Sequence, residues 1–435
     1  MFDVFSCHKA LRSFVVVLGA AVSLTLAGGV SALGAQGIPT LGPDVTINLL
    51  DTVDNYGNTG GILGYTVGTT SCNIGDTPVN WCDGSGCGGG LTSKQHPVIA
   101  QGLYRLKDGR LDQVGMSWLK HGFVSTNSTE GVCKQGAGCT NPPLGGNQLG
   151  VGCRDTYWAS LNGSRPLGMR SEVNATSGDL LIDYTNMPFS AAYEQRIKVA
   201  QNDVDPALNP GASFWIEGQY VSDNDALAGN GLNNASYRSV SVAAGSFDLT
   251  LQSTIVREHT ALHAWRTADP TVEIYNIDLP GAVVERFELA RKVTQLDVDT
   301  WHYEYAIRNM NSDRAARVFT VDFPAVTPIT NVGFKDIDHH SGEPYSTTDW
   351  TPSVDSPNGI VSWSTETFAA NANANALRWA TMFNFWFDAD APPAGAVHTL
   401  ELFKPGSPAS VSFLMPLFAD GFQSHNLTAW SAAQP

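Results

Sequence analysis

Carboxylates and imidazoles crowd together in the segment FKDIDHHSGEPY, positions 334–345. Asp338, His340 and Glu343 lie close together there, and a carboxylate beside an imidazole shifts the pKa of both groups. Such pairs act as general acids and bases or bind a metal ion. Asp, Gly and Pro are also common in solvated turns, so an exposed loop without chemistry is the competing interpretation.

A second polar pair lies in WHYEYAIRN, positions 301–309, where aromatic and polar residues alternate. Because alternate side chains of a strand share a face, His302 and Glu304 are expected opposite Tyr303 and Tyr305. One hypothesis brings this pair and the three residues named above into one cleft, as the catalytic groups of a polysaccharide hydrolase or lyase. The other places the pair on the solvated outer face of a half-buried sheet.

Side chains that carry oxygen recur in the loop NDVDPALNPG, positions 202–211. Asp203, Asp205 and Asn209 could supply several of the oxygen ligands that calcium requires. The loop lacks the complete spacing of an EF-hand, and Asp and Asn also favour turns without any metal. Calcium at these three residues is the cofactor hypothesis, and it would make the protein a calcium-stabilised adhesin.

Aromatic and charged residues also lie in the cysteine-bearing part of the chain. Tyr157 and Trp158 could stack on sugar rings, although most of the 11 Trp residues are expected in the core. Arg170 and Glu172 are charged residues in what should be an ordered loop, which favours a binding role. These four residues are the predicted contacts for a polysaccharide or another cell-surface component.

The first 35 residues have the pattern of a secretory signal peptide. Lys9 and Arg12 precede an apolar run over positions 14–30, and small residues offer cleavage after Ala32 or Ala35. A membrane-anchoring helix would need about 20 predominantly apolar residues, more than this run supplies. We therefore predict a secreted, extracellular protein with no membrane span after cleavage.

Removal of that segment removes Cys7 and leaves six cysteines. An even number in an exported chain predicts disulfide bonds. A zinc site is the rival interpretation, but the spacing C-x2-C that lets two thiolates hold one ion is missing. The pairing cannot be deduced from the sequence. The predicted disulfide cysteines are Cys72, Cys82, Cys87, Cys133, Cys139 and Cys153.

Composition limits the class of partner. The chain has 25 Lys and Arg against 41 Asp and Glu, a net charge of −16, which repels phosphate backbones and makes nucleic acid an unexpected partner. Hydrophobic residues make up 43% of the chain, with 11 Trp, 19 Phe and 12 Tyr, enough to form a large core.

Short runs with period-two alternation, such as SFWIEGQYV and ERFELARKV, predict an all-β protein. We predict a β-sandwich or jelly-roll-like domain over 213–418, preceded by a loop-rich, disulfide-bonded β region over 36–212. That region contains a hairpin turn at Lys107-Asp108-Gly109. A tail over 419–435 completes the chain.

Two parts of the chain resemble known sequences. The ending LFADGFQSHNLTAWSAAQP resembles the DGFESGxxxxWS tail of secreted proteins from environmental Gram-negative bacteria. The runs NNASYR, WHYEYAIRNMNSDR and NALRWATMFNFWFDADAPP are similar to an uncharacterised family of secreted bacterial proteins. The resemblance implies export to the bacterial cell exterior or periplasm, and it implies no catalytic residue. The matching tail residues are Asp420, Gly421, Phe422, Ser424, Trp430 and Ser431, with Gln423 and His425 in place of the usual Glu and Gly.

Two functional hypotheses follow. The first is a secreted extracellular binding or structural protein that contacts polysaccharide or cell-surface material. The alternative is a secreted polysaccharide hydrolase or lyase that uses the Asp, His and Glu cluster. The second requires the polar groups at 302–304 and 336–343 to meet in a pocket.

Overall fold

The structure is a computed structural model that describes residues 40–415, except residues 85, 130–132, 134–137, 164–166, 182–190, 325–326 and 394. The predicted signal peptide (1–35) and C-terminal tail (419–435) lie outside the described residues. About 45% of the structure is strand and 8% helix, which confirms the all-β prediction. No helix in the described part of the chain is long and apolar enough to cross a bilayer.

The described elements follow one another in chain order. The first twelve strands are β1 (Val45–Thr59), β2 (Ile62–Asn73), β3 (Val79–Asn80), β4 (Val98–Lys107), β5 (Arg110–Met116), β6 (Lys120–His121), β7 (Gln148–Leu149), β8 (Arg154–Tyr157), β9 (Ile197–Ala200), β10 (Ser213–Val221), β11 (Ala235–Val242) and β12 (Leu249–Leu251). The next ten are β13 (Glu273–Leu279), β14 (Glu285–Gln295), β15 (Trp301–Asn309), β16 (Ala316–Asp322), β17 (Ile329–Lys335), β18 (Thr351–Asp355), β19 (Ile360–Ser364), β20 (Met382–Ala389), β21 (Val397–Leu402) and β22 (Ser410–Leu414). The short helices are α1 (Gln201–Val204), α2 (Asp223–Leu227) and α3 (Leu262–Ala268), and single 3-10 turns cover Gly145–Asn147, Ala159–Gly163, Arg170–Glu172 and Ser356–Asn358.

The hairpin of β4 and β5 forms at the predicted Asp-Gly turn. Lys107 pairs with Arg110, and the two residues between them, Asp108 and Gly109, have φ values of 51° and 86°. A two-residue loop with positive φ at both positions matches the right-handed twist of the flanking strands. The turn chemistry thus sets the register of this hairpin.

The first sheet has the order β1-β2-β9-β5-β4-β10-β11-β12, with β6 beside β4 and β8 beside β2. It curls so that Val45 of β1 and Ile216 of β10 share one buried core. Strands β1 and β11 lie near opposite ends of the sheet order and do not pair with each other. Ser236 and Arg238 of β11 nevertheless donate hydrogen bonds of 2.9 and 2.8 Å to backbone carbonyls of β1. These side chains occupy carbonyls on the open edge of β1, which protects that edge from pairing with another chain.

The second and third sheets form the predicted β-sandwich. Their orders are β13-β14-β15-β20-β17 and β18-β19-β16-β21-β22. Tyr303 and Tyr305 of β15 are fully buried between them, and the ring of Tyr305 lies 5.3 Å from that of Phe319 in an edge-on contact. The aromatic face that alternation predicts for β15 is therefore the face that packs in the sandwich core.

The opposite face of the second sheet is covered by the first sheet and α3. Tyr104 and Leu111 of the β4–β5 hairpin pack with the small residues Ala290 and Ala306 and with Trp265 of α3. The polar face of β15 is consequently an interface between layers. It is not the solvated surface considered in the sequence analysis, because alternation separates two faces without showing what covers each one.

The sheets do not divide where the predicted domains do. Strand β10 begins at Ser213, yet it pairs with β4 along its whole length, from Leu106 to Val98. The two sandwich sheets start with β13 at Glu273. Strands on both sides of position 213 therefore belong to the first sheet, since the pairing partner of a strand is a long-range choice that local pattern does not reveal.

The cysteines form disulfide bonds, as predicted, with the pairing Cys72–Cys133, Cys82–Cys87 and Cys139–Cys153. Cys72 lies on β2 opposite Arg154, the residue that follows Cys153. Cys72–Cys133 therefore ties the loop that precedes β8 to β2, and Cys139–Cys153 closes the last part of that loop on itself. The described part of this loop-rich region is held by crosslinks as well as by strand pairing.

Candidate functional site

The exposed tryptophan that follows β8 is the most distinctive surface feature near the predicted binding residues. Along β8, Asp155 and Tyr157 are buried whereas Arg154 and Thr156 are partly exposed, and Trp158 is 53% exposed. This alternation continues through Trp158, so Thr156 and Trp158 lie on the same side of the sheet. An indole with half of its surface in water is available for contact with a ligand.

Oxygen-bearing side chains lie beside the end of β8 that Trp158 follows. Thr156 and Thr70 share a hydrogen bond of 3.0 Å, and the Thr70 hydroxyl donates to Asp51 at 3.3 Å. Thr52 donates to the same carboxylate at 3.2 Å. We call Trp158, Thr156, Thr70, Asp51 and Thr52 the Trp158 patch.

A glycine allows the patch to assemble. Thr69 pairs with Tyr157, which places Gly68 opposite Trp158 at the end of the strand pair. A Cβ atom on Gly68 would collide with the Asp51 carboxylate and the Thr52 hydroxyl, and it would approach the backbone nitrogen of residue 159 to 3.3 Å. Because Gly68 has no side chain, the Asp51 carboxylate can occupy the space above it, next to the backbone that carries Trp158.

Hydrogen bonds from β1 and β2 hold the backbone that follows Trp158 in place. The carbonyl of Ala159 accepts hydrogen bonds from the Tyr56 hydroxyl (3.2 Å) and the Thr66 hydroxyl (3.0 Å). The guanidinium of Arg196 stacks on the Tyr56 ring at 3.8 Å. Trp158 is thus presented on a fixed support, which limits the conformational entropy lost when a ligand binds.

Tyr157 points the other way. It is buried, and the ammonium of Lys120 lies 4.7 Å from its ring centre. Lys120 is itself fully buried and donates to the carbonyl of Val67, and burial lowers its pKa to about 7. Of the two predicted stacking residues, the structure leaves Trp158 accessible and places Tyr157 in the core.

Arg170 and Glu172 are also buried, so they do not form a surface site. The guanidinium of Arg170 donates to the carbonyls of Ser117 (2.9 Å), Gln101 (3.1 Å) and Ala380 (2.9 Å). Because Ala380 belongs to the segment before β20, this arginine joins the first sheet to the second. A charged residue in a crosslinked region resembles a ligand contact in sequence, and here it satisfies buried carbonyls.

The catalytic residues proposed at 338–343 lie in different surroundings. The Nε2 atom of His340 is 2.9 Å from the carbonyl of Met116 and 2.8 Å from that of Arg196, and burial lowers the pKa of this imidazole to about 4. The carboxylate of Glu343 accepts hydrogen bonds from the backbone nitrogens of Arg170 and Ser171. Burial raises the pKa of Glu343. Both side chains thus hold backbone segments in place.

Asp338 is the exposed member of that group. It lines a cavity of about 310 Å³ together with Lys198 and Lys335. The neighbouring Asp336 has a pKa raised to about 6 by burial, and its carboxylate accepts a hydrogen bond from Asn375. Asp338 therefore faces a cavity that His340 and Glu343 do not line.

His302 and Glu304 line a separate cavity of about 340 Å³, which we call the charged cleft. Four Lys or Arg side chains, three carboxylates and His302 form its walls. Arg110 donates two hydrogen bonds to Glu304, at 2.7 and 2.8 Å, and stacks on Trp386 at 3.6 Å. His302 contacts Asp388 at 2.6 Å and Glu304 at 3.4 Å. The hydrogen bond to Glu304, aided by Asp388, raises the pKa of His302.

The two halves of the predicted catalytic cluster do not meet. Among the described residues, no hydrogen bond joins 302–304 to 336–343, and the two groups line different cavities. The sequence analysis missed Arg110, Asp388 and Trp386, which complete the surroundings of His302 and Glu304. They lie on strands far away in the chain, and the period-two pattern of β20 is the one signal that could have placed Trp386 and Asp388 on a common face.

The proposed calcium loop is occupied by side-chain cations. Asp203 accepts a hydrogen bond from Arg105 at 3.0 Å. The amide oxygen of Asn209 accepts from Arg105 (2.9 Å) and Lys107 (3.1 Å), and Asp205 accepts from the backbone nitrogen of residue 207. Within the described residues no group of three or more His, Cys, Asp or Glu side chains could hold a metal ion. Calcium binding stays a prediction.

Comparisons with known proteins add little to this description. No protein family matches the chain, and no curated protein matches it. Among solved structures, an exo-chitosanase of Amycolatopsis orientalis is 9% identical, over 83% of this chain and 26% of that one, with a TM-score of 0.18. An inhibitor complex of the exo-β-D-glucosaminidase CsxA is also 9% identical, over 80% of this chain and 25% of that one, with a TM-score of 0.16.

A serine-rich repeat protein of Streptococcus agalactiae is 8% identical, over 85% of this chain and 90% of that one, with a TM-score of 0.19. The chain spans about a quarter of the length of the two enzyme structures it matches. Similarity at this level carries no functional argument, and the chain is assigned to no family.

Proposed function

We propose that this protein is a secreted extracellular protein that binds polysaccharide or other glycosylated cell-surface material through the Trp158 patch. The observation that supports the proposal is the 53% exposure of Trp158 on the side of the sheet that carries the Asp51 carboxylate and the accessible hydroxyls of Thr52 and Thr156, which the buried Thr70 helps to position. Sugars present C–H groups that pack on an aromatic face and hydroxyls that pair with carboxylate and hydroxyl oxygens. The patch offers both kinds of partner.

The compartment supports the same proposal. Three disulfide bonds crosslink the described part of the chain. Disulfides persist outside the reducing cytosol, where polysaccharides and cell surfaces are the available partners. The pattern of the first 35 residues and the ending of the chain favour export as well.

A binding assay on immobilised polysaccharides tests the proposal. The purified mature protein is incubated with cellulose, chitin, β-1,3-glucan, mannan, alginate and pectate, and the bound fraction and released reducing sugar are measured in the same wells. We expect binding to at least one polymer, reduced about tenfold by Trp158→Ala and largely kept by Trp158→Phe. Leu227→Ala removes a similarly exposed apolar side chain elsewhere and should leave binding unchanged.

Two results would count against the proposal. Equal binding by wild type and Trp158→Ala would show that the patch is not the contact. Release of reducing sugar by the wild type, lost in a Glu304→Gln variant, would favour the hydrolase or lyase alternative.

A further inference from the structure

A third cavity lies on the first sheet, where β10 begins beside the end of β11. It has a volume of about 410 Å³ and is lined by the loop that ends at Ala212 and by the adjoining residues of the two strands. We call it the neutral groove. Its size falls in the range of sites that hold small molecules, which are mainly apolar with a few polar groups.

The groove is distinguished by its lack of charge. None of the twelve residues that line it is Asp, Glu, Lys, Arg or His. The chain as a whole has a net charge of −16, and all eight residues that line the charged cleft are ionisable. Arg105 and Lys107 donate to the amide oxygen of Asn209 but do not line the groove. The lining itself offers no charged side chain, so its chemistry favours an uncharged ligand.

An aromatic ring and a row of hydroxyls share one face of the strands at this groove. Trp215 of β10 pairs directly with Ser239 of β11. Alternation places Ser213 and Ser241 on the same face as these two residues, whereas Phe214 belongs to the buried core on the opposite face. Ser213 and Ser241 are exposed, and Trp215 and Ser239 are half-buried.

The polar atoms on that face differ in whether another polar group contacts them. Gln252 donates to the hydroxyl of Ser241 at 2.8 Å, and the hydroxyls of Ser239 and Ser253 are 2.8 Å apart. The ring of Trp215 packs against the core that contains Tyr104. Neither its indole N–H nor the Ser213 hydroxyl contacts another polar group of the described residues. Both residues line the groove, where Ser213 is exposed and Trp215 keeps part of its surface accessible.

We propose that the neutral groove is a second glycan-binding site, and that it selects uncharged sugar rings. An indole beside hydroxyl groups can pack on the C–H face of a pyranose and exchange hydrogen bonds with its hydroxyls. The strands that carry these groups are paired with each other from Phe214 and Val240 to Gln219 and Ala235, so the site is preformed. The neutral groove shares no residue with the Trp158 patch, so the two sites can be tested separately.

The test uses full-length mature protein that carries Trp158→Ala, so that binding at the first patch is removed. Cello-, malto-, laminari-, manno- and chitohexaose are titrated calorimetrically, with hexagalacturonate as the charged probe. We expect at least one neutral sugar to bind with one site per chain and hexagalacturonate to bind at least about tenfold more weakly. Ser241→Asp replaces a small neutral hydroxyl by a larger, strongly hydrated carboxylate, which a sugar packed on this face would have to desolvate, so it should weaken the neutral sugar about tenfold.

The matched control is Ser353→Asp, an equally exposed strand serine on the third sheet, which should have no effect. Trp215→Phe serves as a second variant that keeps a ring and loses the indole N–H, and it should weaken the sugar as well. The proposal is overturned if no neutral hexasaccharide binds, if Ser241→Asp and Ser353→Asp behave alike, or if hexagalacturonate binds as tightly. A second assay uses the apolar dye anilinonaphthalene sulfonate. If the dye binds in a way that depends on Ser241 and no sugar binds, the groove is an apolar docking surface, and the proposal is overturned as well.

Discussion

Arg308 and Glu217 form an ion pair of 2.5 Å across the interface between the second and first sheets, with side chains that are 0% and 4% exposed. Gln219 accepts a further hydrogen bond from Arg308 at 2.7 Å, and Tyr104 donates to Glu217 at 3.2 Å. Burial alone would lower the pKa of Arg308, but the carboxylate of Glu217 raises it. The pair joins the two layers through charges that water cannot reach.

Removal of one partner should therefore destabilise the protein strongly. Arg308→Ala leaves the Glu217 carboxylate buried without its cation, and we expect a loss of about 3–5 kcal/mol in the free energy of unfolding. The double variant Arg308→Met with Glu217→Leu replaces both charges by apolar groups and should recover much of that loss. Urea denaturation measures both values. Equal stability of the single and double variants would contradict this account.

The three disulfides should contribute unequally. Cys72–Cys133 spans 61 residues, whereas Cys82–Cys87 spans 5. Because a crosslink restricts the unfolded chain more when it closes a longer loop, we expect replacement by serine to cost about 4 kcal/mol for the first bridge and about 2 for the second. Thermal unfolding of the two double-serine variants compares them, and the reverse order would refute the prediction.

Acid should destabilise the fold partly through His340. Its pKa is lowered from 6.5 to about 4 by burial, so between these values the unfolded chain binds a proton that the folded chain does not. The stabilisation is present above pH 6.5 and is lost as the pH falls towards 4. His340→Gln, which keeps a donor for the carbonyls, should show a shallower fall in melting temperature over this range. His339 and His398, with pKa values lowered to about 3, act in the same direction and keep part of the slope.

His302 should have the opposite effect. Its pKa is raised above 6.5 by Glu304 and Asp388, so its contribution to stability is complete below about pH 6.5 and is lost as the pH rises through the folded value. The difference in melting temperature between wild type and His302→Gln should be largest at about pH 6 and shrink by about pH 8.5. A difference that grows with pH would contradict the assigned direction.

Asp51 should matter for glycan binding more than for stability. Its carboxylate accepts from Thr52 and Thr70 at the edge of the Trp158 patch. In the polysaccharide assay, Asp51→Ala should weaken binding several-fold, as expected for the loss of charge-assisted hydrogen bonds. Asp54→Ala, on the same strand outside the patch, is the matched control and should bind normally. Equal effects of the two variants would argue against a direct role.

Local patterns predicted the parts of the fold that depend on neighbours in sequence. The Asp108-Gly109 turn, the aromatic face of β15 and the disulfide state of six cysteines are confirmed. Of the predicted site residues, Trp158 is exposed as a sugar contact requires. The same aromatic pattern gave no way to tell Trp158 from Tyr157, because the choice depends on which side of β8 faces the core.

The residues themselves determined that this is an all-β, disulfide-bonded protein. The strands follow from side chains that alternate with period two, and the crosslinks follow from the even number of cysteines after the apolar start. The tertiary structure decided the surroundings of each polar group. His302 and Glu304 lie against Arg110 because the first sheet covers their face, and Arg170 ties two layers together because its donors meet buried carbonyls. Burial and long-range pairing set those partners, and neither is encoded within a short stretch of chain.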